Sequence, residues 1–368
     1  MSLDEQTSKE CEIKPLQDST TENVRRVAII GSGIAGLCAA LSLGERGVPS
    51  IIIEKEHELG GLCAQLSCKG VERCVRCDVC LARDKIKLVR DSPGVEIIKD
   101  AEVMALEGRP GDFILRLTKS SQLLELKVGA VICSVGAIPF HPQSDRRLGY
   151  GEVADVITSL EMEKGLASSG RILVPSTAKE PSSLAFVQCV GSRDDRLRAS
   201  YCSSYCCKSS FKLAQAVKTR VPACSVTFFY MDLRLQDPRE NIRLWASLQE
   251  NVELIRSRPS EILRGEDGRP LVRFVREDES IVEERSFDLV VLATGLRPVT
   301  NARKLSAALG IELDAFGFIS TSTYDRWCSS RAGVFVAGSC AGPKDIVASA
   351  EDGAAAASRA IALLEGRS

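Results

Sequence analysis

The chain has 368 residues, of which 44 % are hydrophobic and 26 % charged, the balance of a globular protein long enough for two domains. A formal net charge of −1 excludes nucleic-acid or anionic-membrane binding driven by a basic surface. Fifteen cysteines stand against only two histidines, His57 and His141, which disfavours His-based triads and His-rich zinc sites.

In chain order, residues 1–23 are polar, rich in Thr, Ser and Glu, and are expected to be a disordered tail. They lack the basic start and apolar core of a secretory signal. No later apolar run reaches about 18 residues, so no transmembrane segment is expected either. The expected location is cytoplasmic, where so much cysteine suggests metal or redox chemistry rather than a disulfide framework. Apolar, β-branched runs at 26–30, 50–54 and 288–294 predict buried strands, each followed by a glycine turn or a helix-like segment. A second cycle predicts a strand at 184–190, a helix at 202–219 and a strand at 226–231. The Ala-rich stretch from Asp345 predicts a closing helix.

The alternation predicts an α/β fold with two Rossmann-like dinucleotide-binding domains, the second inserted in the first. Residues 24–150 and 288–368 would form the outer domain, and 151–287 the inserted module.

The first predicted strand runs into Gly31-Ser-Gly-Ile-Ala-Gly36. Gly31 permits the tight turn, Gly33 lets the backbone approach a pyrophosphate, and Gly36 lets the helix pack on the strand. The helix start offers free N–H groups to phosphates. Glu54 ends the next strand 18 residues beyond Gly36, where a carboxylate accepts hydrogen bonds from ribose hydroxyls. The inserted module has no second fingerprint. Neither Arg171-Ile-Leu-Val-Pro-Ser-Thr nor Phe186-Val-Gln-Cys-Val-Gly-Ser-Arg carries three glycines at the needed spacing. Cysteines stand there instead, and a nicotinamide site is expected to have been lost.

Two cysteine groups result. Cys189, Cys202, Cys206 and Cys207 lie near a predicted helix start, with Cys202 and Cys206 expected one helical turn apart on one face. The positive end of that helix would favour an anionic cluster. The other group is Cys68, Cys74, Cys77 and Cys80, with Cys63 as an alternative ligand. Its repeated two-residue spacing suits a cubane cluster, four-thiolate zinc, or a dithiol/disulfide pair.

Further segments resemble the thioredoxin/glutathione reductase type of flavoprotein with two dinucleotide-binding domains. Glu54-Lys-Glu-His-Glu-Leu-Gly-Gly61 is similar to its acid and glycine pair, Leu292-Ala-Thr-Gly-Leu-Arg-Pro298 to its Ala-Thr-Gly turn, and Val334-Phe-Val-Ala-Gly-Ser-Cys340 to the strand beside the flavin ribityl chain. Most members have Gly-Asp where this chain has Gly338-Ser339. The resemblance implies FAD, bound by Gly31, Ser32, Gly33, Ile34, Ala35, Gly36, Glu54, Lys55, Gly61, Leu62, Thr294, Gly295, Gly338 and Ser339. Lys344, Asp345 and Ile346 would flank the flavin at the start of the last helix, whose dipole favours a reduced, anionic ring.

With Tyr201-Cys-Ser-Ser-Tyr-Cys-Cys-Lys208 and Gly338-Ser-Cys-Ala-Gly-Pro-Lys-Asp-Ile346, the chain resembles the A subunits of heterodisulfide reductases. That resemblance implies an oxidoreductase subunit with FAD, a 4Fe–4S cluster on Cys189, Cys202, Cys206 and Cys207, and heterodisulfide reductase B- and C-like partner subunits. Without the ferredoxin motifs of the longer members, the chain looks like the short form of the sulfur-oxidising heterodisulfide-reductase-like complex, for which a lipoate-binding protein is an expected partner. By analogy of architecture a homodimer is expected. The alternatives are the flavoprotein of the quinone-interacting oxidoreductase of sulfate reducers, an NAD(P)H-dependent disulfide reductase using Cys74/Cys77 or Cys77/Cys80, and a redox-inert scaffold. No catalytic acid–base pair is expected, because electron transfer through cofactors needs none.

Overall fold

The computed structural model describes residues 25–71, 74–235, 240–276 and 281–366. The expected disordered tail, 1–23, lies outside the described residues. Two five-stranded parallel sheets dominate. In the first the order is Val334–Val336, Ala130–Cys133, Val27–Ile30, Ser50–Ile53 and Val95–Ile98. In the second it is Val252–Arg256, Ser225–Tyr230, Ser183–Val190, Leu289–Thr294 and Val156–Thr158. The central strands are buried on both faces, so they read as continuous apolar runs rather than alternating ones.

Each sheet has a topological switch. From Val27–Ile30 the chain moves through two strands to one side and later returns on the other; from Ser183–Val190 it does the same. Parallel α/β sheets bind ligands beyond the carboxyl ends of the strands at such a point. Two short strands, Ala137–Pro139 and Leu296–Pro298, pair antiparallel where the chain passes between the sheets. Two three-stranded antiparallel sheets cover the periphery. Arg171–Thr177, one of the two segments where a second fingerprint could have stood, forms no strand.

The first helix, Ile34–Gly44, crosses the last, Ile346–Leu364, at backbone contact distance, which small residues permit. A Cβ on Gly36 would stand 2.0 Å from the Gly31 carbonyl oxygen, and one on Gly353 would stand 2.1 Å from that of Ala35. Gly353→Ala therefore forces the two helices apart. It is expected to cost about 1–3 kcal/mol, read as a lower urea midpoint at unchanged slope.

Candidate functional site

A cavity of about 1180 Å³ opens at the carboxyl end of Val27–Ile30 and reaches the inserted module's helices Ser159–Ser169 and Cys206–Arg220. Among the expected flavin contacts, Gly31, Gly33, Ile34, Ala35, Glu54, Lys55, Gly61, Leu62, Ser339, Lys344, Asp345 and Ile346 line it. Ser32, Gly36 and Gly338 support the wall from behind. The Ser32 backbone N–H and hydroxyl donate to one Glu54 oxygen at 2.8 and 2.6 Å, and the Glu56 N–H donates to the other at 3.0 Å. Thr294 and Gly295 are not at this wall. The Thr294 carbonyl accepts from the Tyr205 hydroxyl at 2.6 Å, and Gly295 packs on Ser192 and Ser203 beside the inserted-module cysteines.

The residues fit a dinucleotide. Gly31 has φ 100° and its Cβ would strike the Ser134 carbonyl at 2.6 Å, so chain packing alone demands glycine there. At Gly33 a Cβ would meet nothing within 4 Å, so chain packing leaves this glycine unexplained and space beside it free. The helix that starts there has no side-chain cap, which leaves its first N–H groups available to a diphosphate.

The last helix supplies a carboxylate that sequence reasoning missed. Asp352 is buried; its Oδ2 accepts from the Gly338 backbone N–H at 3.3 Å and pairs with Lys344 Nζ at 3.3 Å, while Oδ1 accepts from Trp327 Nε1 at 3.1 Å. Lys344 also donates to the Gly338 carbonyl at 3.2 Å. It thus lines the cavity as one member of an ion pair, not as a free charge.

Lys208, the residue after the paired cysteines, was also missed. Its ammonium pairs with Asp78 at 2.9 Å and with Asp345 at 3.2 Å, tying together the cysteine-rich segment, the inserted module and the last helix. A second tie is deeper. Lys69 and Glu163, both almost fully buried, pair at 2.5 Å, and Ser67 donates to Glu163 through its N–H at 3.0 Å and its hydroxyl at 2.9 Å. Both ties join residues far apart in the chain, so no local pattern announces them.

Cys189, Cys202, Cys206 and Cys207 converge at the switch point of the second sheet. Cys189 ends the central strand in a left-handed conformation, φ 61°, at a register break between Val187 and Val190. The expected helix at 202–219 starts later, at Cys206, after an uncapped Tyr205. Cys202 is therefore in the preceding loop, and the expected one-turn stacking of Cys202 on Cys206 is corrected. The reason is local: Ser204 is left-handed at φ 59°, which a right-handed helix running through it does not allow.

Cys189, Cys206 and Cys207 are all held above the ordinary thiol range, chiefly by burial. Burial, with a smaller contribution from Cys207 and Cys202, pushes Cys189 up to about 11. Burial raises Cys206 well above an ordinary thiol, reinforced by Cys189, Cys207 and Cys202. Burial raises Cys207 as well. A bound metal cation would displace the protons that these buried thiols otherwise keep. Around them Gln188, Ser192 and Thr294 carry buried side-chain atoms with no hydrogen-bond partner, including both ends of the Gln188 amide. Such orphaned groups cost about 1–3 kcal/mol each, which a bound polar centre would offset. The donor set thus fits a thiolate-ligated cluster. No three Cys, His, Asp or Glu side chains among the described residues stand within reach of a single metal ion.

The other group is not gathered. Cys68, Cys74 and Cys80 are exposed and Cys77 lines the cavity; no hydrogen bond or electrostatic interaction joins these four among the described residues. Cys63 is apart from them beside Cys38, and burial raises its thiol to about 11.

Residues 29–82 match the model of an NAD(P)-binding Rossmann-like domain. Over 96 % of its length the chain is 30 % identical to the A subunit of the ferredoxin/F420H2-dependent CoB–CoM heterodisulfide reductase of Methanosarcina acetivorans, spanning 55 % of that protein. Over 90 % of its length it is 30 % identical to the iron–sulfur A subunit of the CoB–CoM heterodisulfide reductase of Methanocaldococcus jannaschii, spanning 63 % of it. The chain thus spans less than two thirds of the length of these relatives. The crystal structure of Lactococcus lactis thioredoxin reductase, 22 % identical, covers 93 % of the chain and 99 % of itself at a TM-score of 0.63. The fold is that of the thioredoxin reductase type.

Two outcomes follow from the buried polar groups. Lys69→Met leaves the Glu163 carboxylate buried and unpaired and is expected to cost about 3–5 kcal/mol, whereas Lys69→Met/Glu163→Leu recovers most of it in urea denaturation. Gln188→Leu is expected to raise the stability of iron-free protein by about 1–3 kcal/mol while weakening retention of iron and sulfide on gel filtration.

Proposed function

The chain belongs to the family of heterodisulfide reductase A subunits, and we propose that it is an electron-transfer subunit of a heterodisulfide-reductase-like complex, carrying FAD in the large cavity and a 4Fe–4S cluster on Cys189, Cys202, Cys206 and Cys207. The observation that carries this reading is the gathering of buried Cys189, Cys206 and Cys207 and half-buried Cys202 at the switch point of the second sheet, where a dinucleotide-binding domain would otherwise place its phosphate-binding turn. A flavin exchanges electrons in pairs and a cubane cluster one at a time, so the two together convert between those modes.

The residues of this chain do the rest. The uncapped helix after Gly33 and the Glu54 carboxylate hold the two halves of a dinucleotide. Asp345 caps the last helix by accepting from the Ala348 N–H at 2.9 Å, fixing that helix at the cavity wall. Asp352 fixes Gly338 and Lys344 behind it. Tyr205, bonded to the Thr294 carbonyl, holds the start of the cluster helix against the strand that returns to the flavin domain.

The wider setting we propose is cytoplasmic oxidation of thiol- or protein-bound sulfane sulfur, with B- and C-like subunits and a lipoate-binding protein as partners and the chain itself a homodimer. Among the described residues no helix is long and apolar enough to cross a membrane. Cys68, Cys74, Cys77 and Cys80, with Cys63 as alternative, are proposed as a second ligand set that would close on binding metal. Zinc there would give them a structural role.

Anaerobically purified protein is expected to show flavin absorbance under a broad brown band, with iron and acid-labile sulfide near about 4 per chain for one cluster or about 8 for two. Cys206→Ser should lose the first cluster yet keep the flavin, and Gly33→Val should do the reverse. Rapid bleaching of the flavin by NADH would favour a self-contained disulfide reductase instead.

A further inference from the structure

We propose that the arginine-rich carboxyl edge of the second sheet is the docking surface for an acidic electron-carrier protein. That the partner carries electrons rests on the electron-transfer reading given above; that its surface is acidic does not.

The strands Ser183–Val190, Ser225–Tyr230 and Val252–Arg256 are parallel neighbours, so the chain leaves them side by side at one edge. The segments at that edge, 191–201, 231–235 and 256–258, carry Arg193, Arg196, Arg198, Arg234, Arg256 and Arg258 against Asp194, Asp195 and Asp232, with no lysine, glutamate or histidine. In a chain of net charge −1 this is a concentrated positive patch. Two aspartates knit it together. Buried Asp194 accepts from Arg196 Nε at 3.0 Å and Nη2 at 2.7 Å, and from Arg258 Nη2 at 2.5 Å. Asp232 Oδ2 accepts from Arg234 Nε at 3.0 Å, and Oδ1 pairs with Arg193. Each carboxylate thus joins arginines from two different strand ends and neutralises only one of the two charges it receives. The Arg193 N–H donates to the Tyr201 carbonyl and the Asp194 N–H to that of Ala199, both at 3.0 Å, closing a hairpin whose far arm leads into Cys202.

These guanidiniums stay open to solvent: the side chains of Arg196, Arg234 and Arg258 are 56, 52 and 38 % exposed. Pairs between exposed charges contribute little to stability. What they do here is hold planar forks that still have donors for a second acceptor, so a docking carboxylate meets side chains whose freedom is already restricted. Three adjacent strand ends span about 10 Å, more than a single phosphate occupies, and guanidiniums this exposed do not enclose a small anion. An acidic protein face matches both the spread and the exposure. Electron-transfer encounters are small, brief and steered by complementary charge. Cys202, the least buried of the inserted-module cysteines, stands at the foot of the hairpin and so beneath such a contact.

The test uses the full chain isolated anaerobically, with iron and sulfide assayed first. The probe is an oxidised, acidic plant-type 2Fe–2S ferredoxin, and its dissociation constant is read by calorimetry across a salt series. Wild-type protein is expected to bind at low ionic strength and to lose affinity steadily as salt rises. Arg196→Gln, Arg198→Gln and Arg258→Gln should each weaken binding roughly 3- to 10-fold and flatten the salt dependence. Arg269→Gln, beside Asp288 at the opposite edge of the same sheet, should leave it unchanged. Arg198 is in neither of the two aspartate pairings, so its variant carries the measurement if the others fold poorly. Ferredoxin with amidated carboxylates should not bind. No binding at low salt, or equal binding by the Arg variants, overturns the proposal. So does displacement of ferredoxin by micromolar inorganic pyrophosphate, which marks a small-anion site, or Arg-dependent binding to phosphatidylserine vesicles, which marks a membrane surface. Ferredoxin held through these arginines by a chain without iron and sulfide keeps the docking surface and overturns the electron-transfer reading; iron-loaded protein that fails to bind does the reverse.

Discussion

A parallel sheet delivers its strands to one edge, and each crossover helix that begins there exposes backbone N–H groups that the helix itself cannot satisfy. Everything in this molecule is arranged around two such edges. At the first, the helix after Gly33 is left uncapped beside an open wall and a carboxylate suited to a dinucleotide. At the second, the helix after Tyr205 is equally uncapped, but its first two residues are cysteines, with two more brought in by the strand end and the loop. The same electrostatic preference for anions would serve a diphosphate at the first edge and, in the proposed function, thiolate ligands at the second.

At Gly338-Ser339, where most flavoproteins of this type carry Gly-Asp, the backbone is held from behind the cavity wall by Asp352 of the last helix, which accepts from the Gly338 N–H. The buried charge is satisfied by Lys344, Arg326 and the Trp327 indole. The close crossing of the first and last helices, which Gly353 permits by lying against the Ala35 backbone, is what brings that carboxylate within reach.

Much of this was legible in the chain. Continuous apolar runs marked the buried parallel strands, because a sheet covered on both faces has no alternation, and the glycine triplet with Glu54 marked the first switch point. The four inserted-module cysteines could be grouped because the motif was dense. Their geometry could not: Cys202 is outside the helix because Ser204 turns left-handed, and no residue type at 202–205 announces that. Lys208, Asp352 and the Lys69–Glu163 pair were invisible for another reason, since an ion pair between distant segments leaves no periodicity. Cys68, Cys74, Cys77 and Cys80 had the clearest spacing and are joined by no contact among the described residues, for spacing reports what a loop can wrap, not where its thiols lie.

The joint between the two domains has a further consequence. Buried Lys69–Glu163 and the two ion pairs of Lys208 stitch the cysteine-rich segment and the flavin wall to the inserted module. Pulling them apart would strand charges in a poorly solvated interior. If electrons cross this seam as in the proposed function, their path length is fixed, and their speed would be indifferent to glycerol or sucrose thickening the medium, unlike that of a carrier that must swing to deliver its load.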